Sequence, residues 1–138
     1  MRVILDTNVF VSGVFFAGPP HRILEAWRDG KLQVVLTQEI LEEYQRVGEV
    51  LAEQFPVVEL RPMIEWVTMN AEVFPSQTMP EPISADPDDD KFIACALISR
   101  CKLIVSGDRH LLKVSGYGGI RVMKPRQFVT QMLSGRKE

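Results

Sequence analysis

Two spacings of apolar residues alternate along the chain. Uninterrupted runs at Val3-Ile4-Leu5, Gln33 to Leu36 and Leu103-Ile104-Val105 have the length of strands, with no polar position alternating, as expected when both faces are covered. Between them the apolar residues recur at helical spacing. Strands that alternate with helices predict a parallel sheet joined by crossover helices.

The punctuation sharpens this outline. After the first strand, residues up to Gly18 read as turn and loop, and a helix is expected from about Pro20 to Arg28, with Gly30 as its stop. Thr37 is a plausible N-cap for a helix carrying Ile40, Leu41, Tyr44, Val47 and Leu51 and ending before Pro56. A second amphipathic helix covers Val58 to Glu72, and Phe74 to Ser84, with three prolines, reads as a loop. Asp86 caps a helix with Pro87 at its first position, running to about Arg100 and apolar nearly all round. A short helix at Arg109 to Lys113, an edge strand at Ile120 to Met123 and a helix from Pro125 to Leu133 complete a single domain over 1–138.

A chain that is 46% hydrophobic and 25% charged supports a real core, which argues against disorder. Asp6 and Asn8 interrupt the apolar N-terminus where a signal peptide needs continuity, and no run approaches the roughly 20 apolar residues of a membrane span. A cytoplasmic protein is expected. Cys95 and Cys101 have neither zinc-site spacing nor histidine partners and read as buried thiols. Trp27 and Trp66 read as core residues, while Val14-Phe15-Phe16 suits either burial or a subunit contact.

The net charge of −2 hides an asymmetry: residues 1–99 sum to −9 and residues 100–138 to +7, the basic group being Arg100, Lys102, Arg109, Lys113, Arg121, Lys124, Arg126, Arg136 and Lys137. A basic end beside clustered acids suits a polyanionic substrate, although a positive solvated surface gives the same count.

The acids are more selective. Asp6 and Asp108 each close an apolar run, so two parallel strands would deliver both carboxylates to one edge of the sheet. Glu43 falls inside the apolar sector of its helix, where a carboxylate is costly unless a cation or donors meet it; Glu39, one turn earlier, is the second choice. In Asp86-Pro87-Asp88-Asp89-Asp90, Asp86 reads as the cap and Asp88 as solvated. Asp90 sits one and two turns ahead of Ala94 and Leu97 and so points inward, with Asp89 as an outer partner. Apposed carboxylates repel, and oxygen donors without a His or Cys pair favour Mg²⁺ or Mn²⁺ as the compensating ion. His110, two residues past Asp108, reads as a surface residue opening a short helix rather than a phosphate contact.

This arrangement resembles the PIN-domain nucleases, in particular the bacterial and archaeal toxin group related to VapC. The resemblance rests on Val3-Ile4-Leu5-Asp6-Thr7-Asn8-Val9, on Glu43 in Leu41-Glu42-Glu43-Tyr44, on Asp90 in Asp86-Pro87-Asp88-Asp89-Asp90-Lys91-Phe92 and on Asp108 in Val105-Ser106-Gly107-Asp108, in order along the chain. It implies a three-layer α/β/α sandwich around a central parallel sheet of four or five strands. It also implies that Asp6, Glu43, Asp90 and Asp108 form the catalytic set around one or two Mg²⁺ or Mn²⁺ ions, with Ser106 near the metal. Hydrolysis of RNA, an antitoxin protein as partner and a homodimer are the family's common features.

The activity expected is metal-dependent phosphodiester hydrolysis, with Asp6, Asp90 and Asp108 on the metal and Glu43 completing the shell or orienting water. Asn8, Ser106, Arg109 and Lys113 are the expected substrate contacts. The alternative is a catalytically silent PIN-fold nucleic-acid-binding or scaffold module. A phosphoacceptor receiver domain fits less well, because Asp6 is followed by Thr7-Asn8 rather than a second acid and the second strand ends in Leu36-Thr37. A haloacid-dehalogenase-type phosphatase fails on the same Asp6-Thr7-Asn8 spacing.

Overall fold

The computed structural model describes residues 1–133, so the expectations on Arg136 and Lys137 lie outside the described residues. Five strands, Arg2–Leu5 (β1), Gln33–Thr37 (β2), Glu72–Phe74 (β3), Leu103–Val105 (β4) and Arg121–Met123 (β5), form one parallel sheet in the order β3-β2-β1-β4-β5. Val3, Ile4 and Leu5, and likewise Val34, Val35 and Leu36, are all fully buried, so consecutive side chains pointing to opposite faces are both covered.

Seven helices supply that cover among the described residues: Thr7–Phe15 (α1), Pro19–Arg28 (α2), Gln38–Gln54 (α3), Leu60–Asn70 (α4), Asp90–Ser99 (α5), Arg109–Lys113 (α6) and Pro125–Phe128 (α7). The chain steps outward from β1 through β2 to β3, then returns past β1 to β4 and β5. With right-handed crossovers, this reversal sends the early and late connecting helices to opposite faces, and α5 packs across β1, β2, β3 and β4. The result is a three-layer α/β/α sandwich. Its strand order reverses between β1 and β4, and the carboxyl ends at such a reversal open a crevice.

The structure departs from the sequence pattern most at α1 and β3, and in pitch at the starts or ends of two helices. Residues 7–15, expected as turn and loop, form α1, because the Asp6 carboxylate accepts the Val9 amide at 3.0 Å and caps the first turn. Val9, Phe10 and Val11 are buried there, with the Phe10 ring stacked on Tyr44 of α3 at 4.2 Å between centroids. Residues 72–74, expected as the end of a helix at Glu72 and the start of a loop at Phe74, form the edge strand β3 and pair with Val35, Leu36 and Thr37. After Phe128, α7 opens into a wider π turn over Val129–Leu133 rather than continuing as regular helix.

Elsewhere the pattern holds. Trp27 is buried against the partly buried Trp66, edge to face at 4.6 Å, and Cys95 and Cys101 are buried free thiols. No helix among the described residues is long and apolar enough to cross a membrane.

Candidate metal centre

The register of β1 on β4 places Leu5 opposite Val105, so the chain leaves the sheet at Asp6 and Ser106 side by side. The Ser106 hydroxyl donates to the Asp6 carboxylate and accepts the Asp108 amide at 2.9 Å, which ties the two strand-end acids together. Asp108 then caps α6 by accepting the His110 amide at 2.7 Å. Burial raises the Asp6 pKa above the ordinary carboxylate value, opposed by the bonds from Ser106 and the Val9 and Asn8 amides and reinforced by the negative charge of Asp108. Asp6, Thr7, Asn8, Glu43, Asp86, Asp88, Asp89 and Asp108 line one cleft of about 270 Å³ at this edge.

Asp90 is not brought there. It is buried as expected, but its carboxylate accepts the Ser84 amide at 2.8 Å and the Ile83 amide at 3.1 Å, and it borders a neighbouring depression. The cause is what each acid meets at the start of α5. Asp90 is the first residue of α5 and shares the buried face of Ala94, although Leu97, expected on the same face, is exposed; that face meets the 83–84 backbone rather than the cleft, while Pro87–Asp89, a single 3₁₀ turn with three residues per turn instead of 3.6, turns Asp89 to the cleft.

Asp89 faces the cleft instead. Its Oδ2 is buried with no hydrogen-bond partner among the described residues, and one carboxylate oxygen each from Asp86 and Asp89 lies with a His110 ring nitrogen inside a 4.8 Å group. Burial, then the charges of Asp108, Asp86, Asp6 and Asp88, push the Asp89 pKa up to about 7. Asp86, read as a cap, does accept the Asp88 amide at 3.0 Å and also contributes to this group. The spacing of α5 does not identify these residues, and Pro87 fits the first position of an α-helix as well as that of a 3₁₀ turn.

Glu43 is buried as its helical phase requires, but both its oxygens are engaged within the chain. The Thr7 hydroxyl donates to Oε1, while Lys91 Nζ lies 2.5 Å from Oε2 and 3.2 Å from Asp88 Oδ1. Burial lowers the Lys91 pKa, but its bonds to Glu43 and Asp88 outweigh that and raise it. Neither Thr7 nor Lys91 was singled out from the sequence, because their importance lies in what they meet across the fold.

The basic residues divide between the two edges of the sheet. Arg109 directly follows Asp108 and Lys124 follows β5, both at the carboxyl edge, and Lys113 ends α6, the short helix that leaves that edge; all three are exposed. Lys102 and Arg121 precede or begin β4 and β5 at the opposite edge, where they bond Gly118 and Gln131. Asn8 is exposed on the cleft rim, and Ser106 is fully buried beneath Asp6.

The cleft suits a hard divalent cation: its donors are carboxylate oxygens with one imidazole, and one buried oxygen has no partner among the described residues. Comparison with curated proteins gives no match. A family model described as PIN domain matches residues 2–110, a span running from the first residue of β1 to His110 and enclosing every acid of the cleft, and the chain belongs to that family.

Proposed function

We propose that the protein is a Mg²⁺- or Mn²⁺-dependent endoribonuclease. PIN domains are generally nucleases, and those nucleases typically use divalent metals. The observation that carries the proposal is the unpartnered buried oxygen of Asp89, set among Asp6, Asp86, Asp108 and His110 where the strand order reverses. In this reading Asp6, Asp86, Asp89 and Asp108, with His110 at the rim, hold the ion, and Asp90 folds the 83–84 segment back so that Asp86 is in place. A bound divalent ion acidifies water and offsets the charge that develops on the phosphoryl oxygens. Ser106 fixes the orientation of Asp6. Arg109 and Lys113 hold the strand by its phosphates, with Asn8 as a neutral hydrogen-bonding contact, so little sequence is read.

Cleavage of mixed single-stranded RNA in Mg²⁺ or Mn²⁺, against a chelator control, tests this. Asp6→Asn keeps a competent helix cap and should abolish cleavage with the fold intact; undiminished cleavage by that variant would remove the metal role of Asp6. Metal-independent RNA binding without cleavage would leave the binding-module reading in its place. A toxin role, with an antitoxin partner and a homodimeric assembly, rests on the resemblance of the Asp6-Thr7-Asn8 and Ser106-Gly107-Asp108 segments to the VapC-related group. Growth arrest on expression, relieved by a small DNA-binding protein encoded immediately upstream, is the outcome that supports it.

A further inference from the structure

We infer that Lys91 is a built-in cation that occupies the Glu43–Asp88 side of the cleft, so that the site takes one divalent ion and not two. The inference rests on the metal-dependent reading above and specifies its stoichiometry.

The carboxylates of the cleft fall into two sets with different partners. Around Asp89 stand Asp6, Asp86 and Asp108, and among the described residues no lysine or arginine pairs with any of these four. Glu43 and Asp88 share Lys91, whose ammonium lies 2.5 Å from one and 3.2 Å from the other. The Lys91 side chain is only 7% exposed, and its ammonium lies 5.9 Å from the centre of the Phe92 ring. It is therefore held in the protein rather than swinging in solvent.

Glu43 has no free oxygen to offer. Thr7 takes Oε1, Lys91 takes Oε2, and Arg46 stands 3.6 Å from the same Oε2. A second divalent ion at Glu43 would have to displace a buried ammonium or lie beside it, and like charges at such separations repel strongly where water is scarce. Lys91 therefore acts as a positioning residue. It neutralises Glu43, keeps that helix face compatible with burial, and leaves Asp89 as the carboxylate that demands an ion.

Titration of the full chain with MnCl₂, read by calorimetry and by electron paramagnetic resonance, tests the inference without reference to activity. The wild type should bind one Mn²⁺ per chain with no spin coupling between ions. Lys91→Met, which keeps most of the side-chain volume, should bind a second, weaker Mn²⁺, and Lys91→Arg should return to one. Glu43→Gln should still bind one ion. Two ions in the wild type, or a single ion in a folded Lys91→Met, would overturn the inference while leaving the metal reading intact. Loss of the ion in Glu43→Gln would also overturn it, since Glu43 would then be a ligand. No Mn²⁺ bound by the wild type would defeat the metal reading and this inference together. The wild-type count decides the matter even if Lys91→Met fails to fold.

Discussion

A proton and a divalent ion compete for the same oxygen of Asp89. With its pKa pushed up to about 7, chiefly by burial, the folded carboxyl keeps a proton that the unfolded chain gives up near the ordinary value. The stability tied to this group is therefore fully present below about pH 4 and lost as pH rises through about 7, at no more than about 1.4 kcal/mol per pH unit. The melting temperature in chelator should fall between pH 5.5 and 8, and Asp89→Asn should flatten that fall and raise the value at pH 8. Mn²⁺ should stabilise the wild type more at pH 8 than at pH 5.5 and should not stabilise Asp89→Asn; equal stabilisation at both pH values would count against Asp89 as a ligand. Asp90 has a structural role instead. Asp90→Ala leaves two amides without an acceptor and should cost about 1–3 kcal/mol in urea unfolding, with Mn²⁺ still bound once the protein is folded. At this scale the sequence shows that a buried acid is present in the 86–90 run and that Asp6, Glu43 and Asp108 are set apart. Which acid of the run enters the cleft depends on a one-turn change of helical pitch that leaves no trace in the apolar spacing of α5.

At the level of elements, α1 is the segment the pattern concealed. Val9, Val11 and Val14 are β-branched and weak helix formers, so the helix is sustained by the Asp6 cap and by burial of Phe10 on Tyr44, both of which are tertiary facts. Gly13 records the same closeness. A Cβ there would lie 2.7 Å from the Pro20 carbonyl oxygen and 2.8 Å from a Leu24 methyl, so α1 and α2 touch backbone to side chain at this point. Gly13→Ala improves helix propensity by about 1 kcal/mol, but forcing the helices apart should cost about 1–3 kcal/mol, and urea denaturation should show net destabilisation. A gain in stability would mean that α2 shifts freely. The helix α5 is legible for the contrary reason. Its apolar residues run almost all round, burial follows from Phe92 to Ala96 although Leu97 is exposed, and the Cys95 thiol is pushed up to about 12. Iodoacetamide should leave Cys95 unmodified at pH 8 until denaturant is added.

For the molecule as a whole, charge counting located the basic residues along the chain but not in space. A net of +7 over residues 100–138 reads as one patch, yet a parallel strand carries its first and last residues to opposite edges of the sheet. Lys102 and Arg121 therefore stand at the amino edge, while Arg109 and Lys124 stand at the carboxyl edge with the acids and Lys113 lies one helical turn beyond Arg109 on α6. Only the second group is placed to hold a phosphate backbone that reaches the cleft. Each phosphate contact on a single strand steepens the log–log dependence of affinity on salt by about 0.7, so few contacts mean a shallow slope. The double variant Arg109→Ala/Lys113→Ala should weaken RNA binding and make that slope shallower by about 1.4, without changing which sequences are cut. Lys102→Ala/Arg121→Ala, which removes as much charge from the far edge, should leave the slope unchanged apart from general screening. If the two double variants lose affinity equally, the strand is not held at the carboxyl edge, and the path assigned to the substrate is wrong even though the metal site stands.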